Sequence, residues 1–330
     1  MLTLTKKGLY CAAGDFYIDP KCAVDRAVVT HAHSDHARKG SRQYYCVKSG
    51  VGLLRARLGQ HINVSQHGYR ETFQIGNVRL SFHSAGHILG SCQVRLEYGG
   101  EVWVASGDYK REPDPTCEPF EPVECDVFVT EATFGTPAFR WPKGRDLGKE
   151  IFDWWTANSE RGINSVLFAY SLGKTQRVLG ALAPFAKKPI YCNPDARELN
   201  DCYAKQGIRL SETKCLRQVP KGQILRGELI LTSHSLLKAE LASNVGENYR
   251  TGFASGWMAN RRHSYDKGFL MSDHADWDDL VQTIVESRAR RVYVQHRGHG
   301  ALVKHLRSLG VEAHCESKLA PADTVQLALF

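Results

Sequence analysis

The sequence predicts an α/β protein of two lobes, and three observations carry that reading. Short apolar strands repeatedly end in a histidine or a carboxylate, and past Trp141 the pattern changes to helices alternating with strands. With 330 residues and 42% hydrophobic content, the chain can bury one large core or two moderate ones. The formal charge of +8, from 43 Lys+Arg against 35 Asp+Glu, leans toward a polyanionic partner, although the excess is spread along the chain. Ten cysteines lie scattered between Cys11 and Cys315 with no C-x-x-C pair, which argues for reduced thiols and against a disulfide framework. The first residues lack the apolar stretch of a signal peptide, and no run approaches the ~18 apolar residues of a membrane span, so a soluble, cytoplasmic protein without a membrane partner is expected.

Residues 14–19 (Gly-Asp-Phe-Tyr-Ile-Asp) alternate as a strand that stops at Pro20, and residues 27–30 form the next strand. Asp19 therefore sits beside the chain's densest polar motif and is a candidate to orient a ligand histidine from behind. That motif, His31-Ala32-His33-Ser34-Asp35-His36, follows directly from the 27–30 strand. Residues two apart at a strand end point to the same side, so His31 and His33 can chelate one ion, while Asp35 and His36 in the following turn can face a second.

A helical segment at 51–58 is followed by a strand at 77–83, the loop Ser84-Ala85-Gly86-His87-Ile88-Leu89-Gly90-Ser91, and a strand at 92–98. His87, held between glycines where backbone must approach something closely, is the third-histidine candidate. The strand at 102–105 ends in Ser106-Gly107-Asp108, placing a carboxylate where it can bridge two cations. The strand at 126–130 delivers Glu131 in the same manner.

The proline-rich tract 113–122 reads as a loop, and residues 141–144 as a lobe boundary. Beyond it, helices at 147–158 and 174–185 alternate with strands at 165–169 and 189–192, and further strands are expected at 229–232 and 252–258. The turn 171–176 opens a helix after a strand, so Lys174 is a candidate phosphate contact, although the turn lacks the glycine spacing of a nucleotide-binding loop. Arg261 and Arg262 in a basic loop are candidates for the same role. A strand at 268–271 then leads into the cluster Ser272-Asp273-His274-Ala275-Asp276-Trp277. A strand at 291–295 ends at His296, with His299 and a helix at 301–309 behind it.

Together these motifs resemble the metallo-β-lactamase superfamily, and within it the β-CASP nucleases, over nearly the whole chain. The resemblance implies an αββα sandwich formed by residues 1–142 and 266–330, with a β-CASP-like α/β lobe inserted at 143–265. It implies that one metal takes His31, His33 and His87, that a second takes Asp35, His36 and His296, and that Asp108 bridges them. Asp19 matches the family's first motif, and Glu131, His274 and His296 match its A, B and C motifs. The cofactors implied are two divalent ions, zinc or manganese by the donor set. Residues 14–20, 252–258 and 272–277 are similar to a bacterial exonuclease subgroup associated with DNA ligase and a helicase. That similarity favours a single-stranded DNA exonuclease of DNA repair over an RNA-processing ribonuclease. DNA-specific repair members often carry an aliphatic residue at motif C where this chain has His296, as RNA-processing members do, so the RNA reading stays open, as does His299 in place of His296.

The expected chemistry is phosphodiester hydrolysis. His274, outside the ligand set, is the candidate general acid, Glu131 would orient it, and Asp35 and Asp108 would act through the metals. A small-molecule hydrolase shares the metal motif but needs neither the insertion nor the Glu131 and His274 pair, and a non-catalytic module needs no complete ligand set.

Overall fold

The computed structural model, which describes residues 1–233, 244–259, 264–295 and 299–321, sorts the strands into three sheets. The first contains β1 (Leu2–Thr5), β2 (Gly8–Cys11), β3 (Phe16–Ile18), β4 (Arg26–Val28), β5 (Gln43–Val47) and β6 (Val64–His67) in sequence order. Its first three strands are antiparallel, and β3 to β6 run parallel. β7 (Thr72–Ile75), β8 (Val78–Ser84), β9 (Cys92–Tyr98), β10 (Glu101–Ala105) and β11 (Val127–Thr130) belong to the second sheet. The third is built from β12 (Asn164–Phe168), β13 (Ile190–Cys192), β14 (Thr213–Cys215), β15 (Leu229–Thr232), β16 (Tyr249–Ala254) and β17 (Lys267–Phe269). β18 (Arg291–Val294) and β19 (Glu312–Cys315) return to the second sheet, whose order is β19-β18-β11-β10-β9-β8-β7.

Strand alternation gives the second sheet two different faces. Trp103 and Ala105 of β10, with Val127 and Val129 of β11, pack against Phe16, Ile18 and Val28 of the first sheet. Val104 and Phe128 point the other way, onto Leu280 and Ile284 of the helix Trp277–Glu286 and Leu302 and Leu306 of the helix His299–Ser308. The helix Val51–Leu58, with Leu53 and Leu54 buried, belongs to the same compact unit. Helix, two packed sheets and helix make the αββα sandwich.

This unit comprises Met1–Pro113, Cys117–Arg140 and the described residues from His274 onward; a second unit comprises Asp114–Thr116 and Trp141–Asp273. In the second unit all strand pairs are parallel, in the order β14-β13-β15-β12-β16-β17. Leu167 and Leu231 face one core with the helices Leu147–Ser159 and Lys174–Leu182, and Val166, Phe168 and Ile230 face another. The expected insertion ended at 265. β17, which overlaps the strand expected at 268–271, instead pairs with β16 as an edge of this sheet. Among the described residues no helix is long and apolar enough to cross a membrane.

Candidate metal centre

Four loops bring the site together, and backbone hydrogen bonds join them. Cys92 N donates to Thr30 O at 2.8 Å, Lys110 N to Ala85 O at 3.0 Å, and Ala275 N to Tyr109 O at 2.7 Å. The loop after β4 is thereby tied to the start of β9, the His87 loop to the Asp108 loop, and the Asp108 loop to the segment carrying His274. Ser91 closes the His87 loop by accepting from the backbone of His87 and Ile88 at 3.1 and 3.2 Å. Gly86, at φ +66°, lets this loop pass so near Lys110 that a Cβ would fall 2.3 Å from its carbonyl oxygen.

His31, His33, His87 and Asp108 each offer one ligand atom, and these atoms all lie within 4.8 Å of one another. His33 Nδ1 is 3.0 Å from His31 Nε2 and 3.1 Å from His87 Nε2, and Asp108 Oδ2 is 3.7 Å from His31 Nε2 and 3.9 Å from His87 Nε2. Three ring nitrogens and a carboxylate converging at a largely buried site match the donor set and spacing of a divalent metal ion. Asp108 Oδ1 is buried and has no hydrogen-bond partner. A desolvated carboxylate oxygen left this way is costly unless a cation meets it, so the residues present fit a bound cation.

On the far side of Asp108, His36 Nε2 lies 3.4 Å from Asp108 Oδ2 and 3.8 Å from Asp35 Oδ2. His36 turns its other nitrogen to Asp19 Oδ2 at 2.7 Å. Asp19 also accepts from Thr30 N at 2.8 Å and Thr30 Oγ1 at 2.5 Å, and that hydroxyl stands 3.1 Å from His31 Nδ1. One carboxylate thus orients His36 directly and His31 through Thr30. Burial and the neighbouring histidines push His31 well below the usual imidazole range, which keeps it a neutral lone-pair donor. Burial also pushes His36 down, but the Asp108 and Asp19 carboxylates outweigh it and hold His36 well above that range. Burial raises Asp108, and His36 and His274 outweigh it, leaving the carboxyl well below its ordinary value.

Glu131 is 1% exposed and accepts from Tyr109 N at 2.8 Å and Thr133 N at 3.3 Å. His274 Nδ1 lies 3.0 Å from both Glu131 oxygens and 4.0 Å from Asp108 Oδ2. Aimed by a fixed carboxylate and held at hydrogen-bond distance from it, the imidazole has the geometry of an oriented acid or base.

The structure therefore brings His31, His33, Asp35, His36, His87, Asp108, Asp19, Glu131 and His274 to one place. It corrects Lys174, which is 4% exposed with Nζ 2.6 Å from Asp273 Oδ2 and 3.3 Å from Met271 O. Its charge is met inside the protein, so it does not face a phosphate. Arg261, Arg262 and His296 lie outside the described residues, as does the side chain of His299. Sequence reasoning missed Thr30 and Ser91, the hydroxyls that set histidine orientation and loop closure. Their only signal is a hydroxyl residue flanking a ligand loop.

No family model matches the chain. A 313-residue stretch, 93% of this chain and 30% of the other, is 28% identical to a probable DNA ligase of Opitutus terrae. An RNase J-like protein of Methanocaldococcus jannaschii is 28% identical over 185 residues, covering 49% of this chain and 44% of that one. Endoribonuclease YSH1 of Candida albicans is 30% identical over 138 residues, or 41% of this chain and 15% of that one. The chain thus spans less than half the length of each of these relatives. In solved structures, a protein of unknown function from Enterococcus faecalis matches 82% of this chain and 74% of its own with a TM-score of 0.51 and 12% identity, a likeness of fold alone.

Proposed function

This chain is a member of the β-CASP metallo-β-lactamase nuclease family, and on that premise we propose that it is a divalent-metal-dependent nuclease acting on single-stranded DNA as an exonuclease. The observation that carries the reading is the convergence of three histidine nitrogens on Asp108, with the oriented His274 and Glu131 pair beside them.

His31, His33, His87 and Asp108 would hold one ion, and Asp35, His36 and Asp108 a second, with His296 as the remaining ligand. Bound zinc or manganese would neutralise charge at the scissile phosphate and make a water acidic enough to attack near neutral pH. Asp108 sets its negative charge between the two positions, and Asp19 keeps the His36 ring turned so that Nε2 faces Asp108. Glu131 holds His274 by Nδ1, so Nε2 is the nitrogen that delivers a proton to the departing oxygen.

The DNA reading takes its lead from a protein named as a probable DNA ligase that matches 93% of this chain, and a DNA ligase and a helicase as partners are implied by the resemblance alone. None of the ten cysteines forms a disulfide, in keeping with a reducing cytoplasm. The names RNase J-like protein and endoribonuclease favour a second reading, an RNA-processing nuclease. End-labelled single-stranded DNA and RNA of matched sequence, digested with a panel of divalent metals, separate the two. Faster stepwise shortening of DNA is expected, and preferential internal cleavage of RNA would replace the first reading by the second.

A further inference from the structure

Lys174 and Arg177 sit one turn apart at the start of the helix Lys174–Leu182, on the same side by their spacing, and both are buried. Lys174 Nζ reaches Asp273 Oδ2 at 2.6 Å and Met271 O at 3.3 Å. Arg177 Nη1 lies 3.3 Å from Asp273 Oδ1 and donates to Ser272 O, while its Nε is 3.6 Å from Asp114 Oδ2. Three successive residues, Met271, Ser272 and Asp273, are therefore held by two cations. The next residue is His274.

The arrangement runs against local preference. A helix N-terminus disfavours cations, and burying charges costs several kcal/mol per ion by general estimates, so such a cluster is a poor way to gain stability. Rules broken locally point to a geometric demand. We propose that Lys174 and Arg177 are positioning residues: they clamp Asp273 and fix the backbone from which His274 projects. The inference rests on the reading of His274 as the general acid. On the other side of His274, Ala275 N donates to Tyr109 O at 2.7 Å, and Glu131 faces the imidazole at Nδ1.

The test is a double-mutant cycle of Asp273→Asn with His274→Ala, read on a single-stranded oligonucleotide and on thymidine 5′-p-nitrophenyl phosphate. The nitrophenolate of the second substrate leaves without a proton. Asp273→Asn is expected to lower kcat on the oligonucleotide about 10- to 100-fold, the scale of a misplaced catalytic group, with KM little changed. On the nitrophenyl ester the loss should stay under about threefold. In the His274→Ala background Asp273→Asn should remove nothing further. If Asp273→Asn does not fold, the neutral pair Lys174→Met with Asp273→Asn avoids stranding the lysine charge and takes its place. Equal losses on both substrates, or losses that multiply in the double variant, overturn the clamp alone. If His274→Ala keeps full oligonucleotide activity, the acid reading falls and the clamp with it.

Discussion

Asp19 Oδ2 and His36 Nδ1 are 2.7 Å apart, so the carboxylate settles which imidazole nitrogen faces the metal position. Asp19 itself has φ +45°, a left-handed conformation that Asn tolerates better than other non-glycine residues. Asp19→Asn is therefore expected to keep the turn but to set an amide against the His36 N–H. Metal affinity should fall about 10- to 100-fold, the usual worth of such an orienting partner. Chelator competition followed by mass-spectrometric metal analysis reads the change, and unchanged retention of both ions would show that His36 is not a ligand.

Gly107 has φ +57°, and a Cβ there would stand 2.7 Å from Thr30 Cβ. Gly107→Ala has to strain the backbone and push apart two loops that carry Asp108 and His31. A loss of about 1–3 kcal/mol is expected from the combined strain and overlap, together with lower metal content. Denaturant unfolding with and without added zinc measures both, and a variant as stable as the parent would mean the loops have slack.

Asp108→Ala removes the one carboxylate near both clusters. It is expected to fold, because Asp108 Oδ1 has no hydrogen-bond partner and the substitution releases a desolvated carboxylate. Nuclease activity should vanish and bound metal should drop. An active Asp108→Ala protein at full occupancy would sink the bridging assignment.

The candidate ligand loops were legible because they follow mainly apolar strands, such as β10 and β11, and because His31, His33, Asp35 and His36 are packed into six residues. The helix Val51–Leu58 and the strands Cys92–Tyr98 and Leu229–Thr232 fall on the expected bounds. What escaped is what lacks a clean period. β1, β2, β6 and β14 are short edge or near-edge strands of mixed polarity, and the helix Pro194–Lys205 hides its buried Leu199 and Tyr203 among charges. Lys174 was misread because a lysine opening a helix after a strand looks the same whether its charge meets a phosphate or a buried aspartate 99 positions away. Sequence shows the cation, and only the fold shows the anion.

His274 stands 3.0 Å from Glu131 and, by the same nitrogen, 4.0 Å from Asp108 Oδ2, a spacing at which the three side chains could also hold an ion, so experiment has to separate an acid from a ligand. Nδ1 is turned to a buried carboxylate, and one side of the site already has three histidine nitrogens and Asp108. A further protein donor would fill a position that substrate needs, since catalytic sites keep one open. His274→Ala is accordingly expected to retain metal and substrate binding while losing about 10²- to 10⁴-fold in rate on nucleic acid. A nitrophenyl phosphodiester, whose leaving group needs no proton, should recover most of that loss. Glu131→Gln should behave as a weaker version of the same change, because the amide keeps the contact and removes the charge that favours a protonated ring. If His274→Ala loses an ion, or if the activated ester recovers nothing, His274 is a ligand or a structural residue, and the proton comes from elsewhere.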